Sequence, residues 1–140
     1  MSFGGKQIVD ESVNIDGRGW PSLSTGDFRQ LRRIPTTFDN DSMVMAIRIA
    51  AKTVQKQLYK LLDDENLPPT FDETDTALYC RAVYGRAHAD LLPEFATQDR
   101  RKEANNLAEN GPEQVDEFIS QSGRDIRLLL GLSSVSVGVI

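Results

Sequence analysis

Apolar residues recur at steps of three and four through most of this 140-residue chain, and at steps of two over Ser134–Ile140. The first rhythm marks helices buried along one stripe. The second marks a strand whose side chains point to two faces in turn. The clearest helical stripe is Met43, Ile47, Ala50, Val54, Leu58 and Leu61, in a segment opened by Asp39 or Asp41 as cap and closed by Pro68-Pro69. It predicts about 24 residues of helix, a rod of about 36 Å. A further stripe, Leu78, Ala82, Gly85, Ala89 and Leu92, starts from a cap at Thr70 or Asp72. Three of its five members are small, so a neighbouring helix can approach closely. Pro93 predicts a kink, and Gly111-Pro112 a break with Pro112 in a new first turn. The last helix holds Val115, Ile119, Ile126 and Leu130 and closes at Gly131.

Two segments fall outside this pattern. Residues 1–20 carry only Ile8, Val9, Val13 and Ile15 as weak strand formers and read as an extended arm, ordered where something touches it. A short helix with Phe28 and Leu31 follows, capped by Ser24 or Thr25 and stopped by Pro35. The pattern predicts an all-α fold: a small bundle of three to four main helices over 21–131, an extended arm over 1–20 and a strand-like tail over 132–140. That tail has no hairpin mate in sequence, and a single strand cannot satisfy its own backbone groups. It is therefore flexible, folded back on its own helices, or added to another chain's sheet edge.

Composition narrows the classes. A chain of this length buries enough surface to fold without disulfides or metal. The single cysteine, Cys80, excludes an internal disulfide and a multi-cysteine zinc site. A net charge of −5 argues against a dedicated nucleic-acid binder. The absence of a membrane-length apolar run, or of a signal-length one at the start, predicts a protein made and kept in a cytoplasm.

Candidate chemistry is sparse. His88 is the only histidine. Cys80 lies two helical turns earlier, about 12 Å away along the axis, and nothing completes a catalytic site, so both read as structural. "FGGKQ" lacks the glycine spacing and the hydroxyl residue of a phosphate loop. The acids Asp63, Asp64 and Glu65 end one helix and Asp72, Glu73 and Asp75 begin the next, where solvation and the helix dipole account for them without a metal. Arg29, Arg32 and Arg33, and again Arg100, Arg101 and Lys102, form basic runs. They support a rival reading as a small helical DNA-binding protein of packaging or regulation, against a solvated face or inter-subunit ion pairs.

The order of these features resembles a known family. An arm leads to "FRQLRRI", then the long alanine-bearing helix, then "YCRAVYGRAHADLLPEF", then "VDEFISQSGRDIRLLLG" and the closing "VSVGVI". The sharpest pieces are Arg81-Ala82-Val83 with Ala87 and Ala89, and Arg124-Asp125-Ile126-Arg127 with Gly131. Over residues 20–140 the chain resembles the head-completion proteins, or head-to-tail connectors, of contractile-tailed temperate bacteriophages. The resemblance implies a non-enzymatic virion protein without cofactor or metal. It is assembled in the host bacterial cytoplasm and forms a ring at the neck, where head meets tail. The expected partners are the portal protein, neighbouring copies, a neck or tail-terminator protein below, and genomic DNA that passes without specific binding; no membrane is involved. It implies that Ser134, Val135, Ser136, Val137, Gly138, Val139 and Ile140 join the portal's sheet. About twelve copies of net charge −5 sum to about −60, which repels DNA phosphate from a channel wall. Asp63, Asp64, Glu65, Asp72, Glu73 and Asp75 are the candidate channel-facing acids.

Overall fold

The computed structural model describes residues 11–132 and, within them, all side chains except those of 95–111. Two short strands, β1 (Asn14–Ile15) and β2 (Leu23–Ser24), pair antiparallel, with Ile15 opposite Leu23. Helix α1 (Thr25–Arg32), helix α2 (Asn40–Gln57), a 3-10 turn (Tyr59–Leu61) and helix α3 (Glu73–Leu129) follow. The fold is the small helical bundle that the apolar pattern predicts.

Residues 11–20, expected as the end of the arm, lie against the bundle. The Thr25 hydroxyl accepts from the Val13 N–H at 2.8 Å, and the Thr25 N–H donates to the Val13 carbonyl at 3.0 Å. The Asn40 amide donates to the Glu11 carbonyl at 2.8 Å. Trp20 stacks on Tyr79 with ring centroids 5.5 Å apart, and Phe71 sets its edge against both rings. Gly17 makes the bend between the strands: a Cβ there would stand 2.0 Å from the Trp20 carbonyl oxygen, so no other residue fits. Residues 1–10 lie outside the described residues.

Helices α1 and α3 carry side-chain caps, whereas Asp39, expected with Asp41 as a cap of α2, stands at its N-cap position without a side-chain hydrogen bond. Ser24 caps α1, its hydroxyl accepting from the Asp27 N–H at 3.0 Å, and Arg33 ends the helix in a left-handed conformation. The predicted stripe is buried at Met43, Ile47, Ala50 and Val54 of α2 and at Leu58 just beyond it, and Leu61 is half-buried in the 3-10 turn. Helix α2 ends at Gln57, well short of the prolines. Beyond it the chain tightens into the 3-10 turn, and the Asp63 carboxylate accepts from the N–H groups of Glu65 and Leu67 at 2.8 and 2.9 Å. A side chain that bonds the backbone locally competes with helix continuation.

Helical backbone runs unbroken through α3, across the expected break at Gly111-Pro112. It is not a straight rod. Arg81 touches Asp125, Ala82 touches Ser122 and His88 touches Phe118. A straight helix would hold the first pair, 44 residues apart, about 66 Å apart. As one partner's number rises the other's falls, which is the signature of antiparallel packing. The chain therefore doubles back between His88 and Phe118, a stretch containing both prolines, where the loss of a backbone donor allows bending. The chain reverses direction there while the backbone stays helical. The first leg of α3 is buried on two sides, with Tyr79, Val83, Ala87 and Leu91 in one apolar stripe and Ala82 and Ala89 in the small-residue stripe. At its end, Gly131 adopts a φ of 76°, donates to the Leu128 carbonyl, and leaves the Leu132 N–H on the Arg127 carbonyl at 2.8 Å, a Schellman cap.

Candidate functional site

The described residues converge on the seam where the two legs of α3 meet α1. Ser122 and Asp125 fall on the inward face of the return leg, in phase with Ile119 and Ile126, and both are buried. A buried polar group needs a partner. The Ser122 hydroxyl donates to the Ala82 carbonyl at 2.9 Å. Asp125, 1% exposed, accepts two bonds from Arg81, from Nε at 2.9 Å and from Nη2 at 2.8 Å. This fork geometry fixes the rotation of one leg against the other. The bonded carboxylate holds the Arg81 guanidinium above its ordinary value. The two legs are in contact at Gly85, where a Cβ would stand 3.8 Å from the Phe118 carbonyl oxygen, an ordinary packing distance. The small-residue stripe thus admits the close neighbour it predicts.

Next to this clamp, Arg32 of α1 reaches into the seam. Its Nε donates to His88 Nδ1 at 3.1 Å, and its guanidinium carbon sits 4.6 Å from the centre of the Phe118 ring. The His88 ring faces Phe118 at 4.7 Å. Burial, and then the Arg32 charge, push His88 down to about 4, so it is a neutral acceptor at neutral pH. Burial and the Arg81 charge lower Arg32 from its usual value. On the surface above lies a depression of about 360 Å³, lined by Leu31, Arg33, Glu117 and Arg124 among others.

The structure distributes the sequence candidates unevenly. Of the DNA-binding run, Arg29 is a brace: it donates to the Pro35 carbonyl at 3.0 Å and, more closely, to the Phe38 carbonyl ahead of α2. Arg32 is committed to His88 and Phe118, which leaves Arg33 exposed. Of the acid candidates, Asp63 organises its own loop, and Asp72 caps α3 by accepting from the Asp75 N–H at 2.7 Å. Asp64 and Glu65 are exposed on the α2–α3 connection, while Glu73, exposed, and Asp75, half-buried, stand in the first turn of α3. Cys80 is a half-buried free thiol, raised by burial, and His88 is held by its neighbours. Among the described residues no three His, Cys, Asp or Glu side chains group as a metal site would, and no helix is long and apolar enough to cross a membrane. The tail residues Ser134–Ile140, and the side chains of Arg100, Arg101 and Lys102, lie outside the described residues.

The motifs singled out in the sequence, Arg81-Ala82-Val83 and Arg124-Asp125-Ile126-Arg127, are thus two halves of one clamp. Over residues 71–140, half the chain, the sequence matches the phage head completion protein (GPL) family. The chain belongs to that family. A probable head completion/stabilization protein of Haemophilus phage HP1 is 28% identical over 121 residues, covering 73% of this chain and 76% of that protein. No solved structure matches this chain. The part matched to the head completion family holds both legs of α3 and the whole clamp, and it runs on through the tail.

Proposed function

We propose that this head completion protein is a structural, non-enzymatic adaptor of the phage neck. About twelve copies assemble as a ring on the portal after DNA packaging, extend the DNA channel and offer a platform to the next neck or tail protein. Ser134–Ile140 add as a strand to the edge of the portal's sheet, with main-chain hydrogen bonds supplying affinity and the alternate valines specificity. The exposed acids of the α2–α3 connection face the channel and keep DNA from adhering.

The observation that carries this reading is the family match, which continues from the clamped helix into the tail. The clamp supports it further. A bidentate pair, a buried serine and a left-handed cap hold the last helical turns firmly, and a docking segment needs a firm base. The DNA-binding rival loses ground, because Arg29 and Arg32 are engaged inside the fold.

Co-sedimentation with purified portal rings tests the reading, comparing the full chain with one stopped before Ser133. The full chain is expected to travel with the portal. The shortened chain is expected to stay behind while keeping its helical circular dichroism. Equal binding by both would remove the tail from the account; binding by neither would remove the portal.

A further inference from the structure

On the opposite side of the first α3 leg from His88 lies a second unpartnered surface. Asp90 follows His88 by two residues, about 200° round the helix, and Glu94 is about 240° round. There the leg and α2 form a groove of about 270 Å³, floored by Ala46 and Leu91. Its lip carries Met45 and Ile49, one turn apart on α2 and 64% and 54% exposed. Asp41, Asp90 and Glu94 rim it, all exposed. The His88 side carries the converse chemistry. Leu31 is 66% exposed beside Arg33 and Arg124, and Leu128, one turn beyond Arg124, is 51% exposed. Glu117 is the one acid lining that depression, against Arg32, Arg33 and Arg124.

We infer that one copy docks head-to-tail on the next, with Leu31 of one seated in the Met45–Ile49 groove of its neighbour and Arg33 and Arg124 facing that neighbour's Asp41, Asp90 and Glu94. The occupant is a second copy because this chain itself presents both halves: an apolar knob ringed by cations and an apolar groove ringed by anions. Because the halves lie on opposite sides of one helix, the contact is heterologous, so an open assembly keeps one free half at each end. Such contacts propagate, and they close into a ring when the rotation per copy allows. The charges set orientation and register, and the buried leucine supplies the apolar area. The inference rests on the ring reading above and names the faces that would form it.

The test uses full-length chains in which Cys80→Ala removes the native thiol. Leu31→Cys and Ile49→Cys are introduced singly and together, and the chains are oxidised both free at millimolar concentration and bound to portal rings. The double variant is expected to give a ladder of disulfide-linked oligomers, and neither single variant a dimer. No ladder in either setting, or dimers from a single variant, would overturn the inference. In parallel, Arg33→Glu/Arg124→Glu is expected to weaken association at least about tenfold. Adding Asp90→Arg/Glu94→Arg to the same chain is expected to restore it. Reversed chains that associate as the parent does would also overturn the inference. Failure of the parent chain to sediment with the portal speaks against the ring reading alone, and the ladder in free solution still decides the contact.

Discussion

Arg81 is 53% exposed while its partner Asp125 is 1% exposed, so the pair is asymmetric. Arg81→Ala strands a buried carboxylate and is expected to cost about 3 kcal/mol in urea unfolding. Arg81→Lys recovers only part of that, because an ammonium cannot form the fork. His88 makes stability depend on pH. Its folded value, about 4, lies below the ordinary histidine value of 6.5. Between these the unfolded chain takes up the proton more readily, so stability falls as pH drops from 6.5 to about 4 and this group contributes no further loss below. Discounted for partial exposure, the loss is about 1–2 kcal/mol. His88→Gln keeps an acceptor and removes the titration; its urea midpoint is expected to move less than the parent's between pH 7 and pH 4.5. Neither arrangement was legible in the sequence as a pair. Arg81 and Asp125 stand out singly, and only the fold brings them within reach. Ser122 and Asp125 did carry a signal, since they fall in phase with Ile119 and Ile126 on a face that is otherwise apolar.

At the scale of elements the sequence was read well where one stripe decided the matter. The buried positions of α2, the Ser24 and Asp72 caps and the Gly131 stop are where spacing put them, whereas α2 itself has 18 residues rather than about 24 and ends short of the prolines. The sequence was read incompletely where a helix is buried twice. The small residues of α3 mark one contact, while Tyr79, Val83, Ala87 and Leu91, at steps of four, make a second against α2. Gly111-Pro112 suggested an end of helix, whereas helical backbone continues through it and the chain reverses direction between His88 and Phe118. The glycines differ in consequence. A Cβ at Gly85 would stand 3.8 Å from its nearest neighbours, an ordinary contact. Gly85→Ala is therefore expected to raise the melting temperature, through a helix-propensity gain of about 1 kcal/mol. Gly17→Ala drives a methyl into the Trp20 carbonyl and is expected to unfold the β1–β2 bend, seen as lost Trp20 fluorescence anisotropy.

For the whole molecule, charge and shape are distributed rather than concentrated. Basic and acidic faces sit on opposite sides of one leg, the α2–α3 acids lie at one end, and aromatic rings close the seam between α3 and the N-terminal residues. Overall charge, legible in composition, hides this polarity: a chain of net −5 still offers a face where arginines outnumber acids. The tail reads in the sequence as a strand without a mate, and Ser134–Ile140 lie outside the described residues. The doubled-back helix carries one more consequence. Asp125 lies beside Arg81, so the final turn at Leu129 comes alongside the first turns of α3, near Ala77. The chain leaves its last cap at the same pole as the α2–α3 loop. Chain connectivity alone keeps Ser134 within about 7 Å of Leu132. On the proposed docking of the tail, the portal would hold the molecule by that pole, like a post set in a socket. The side faces of α2 and α3 are then left free to meet whatever stands alongside.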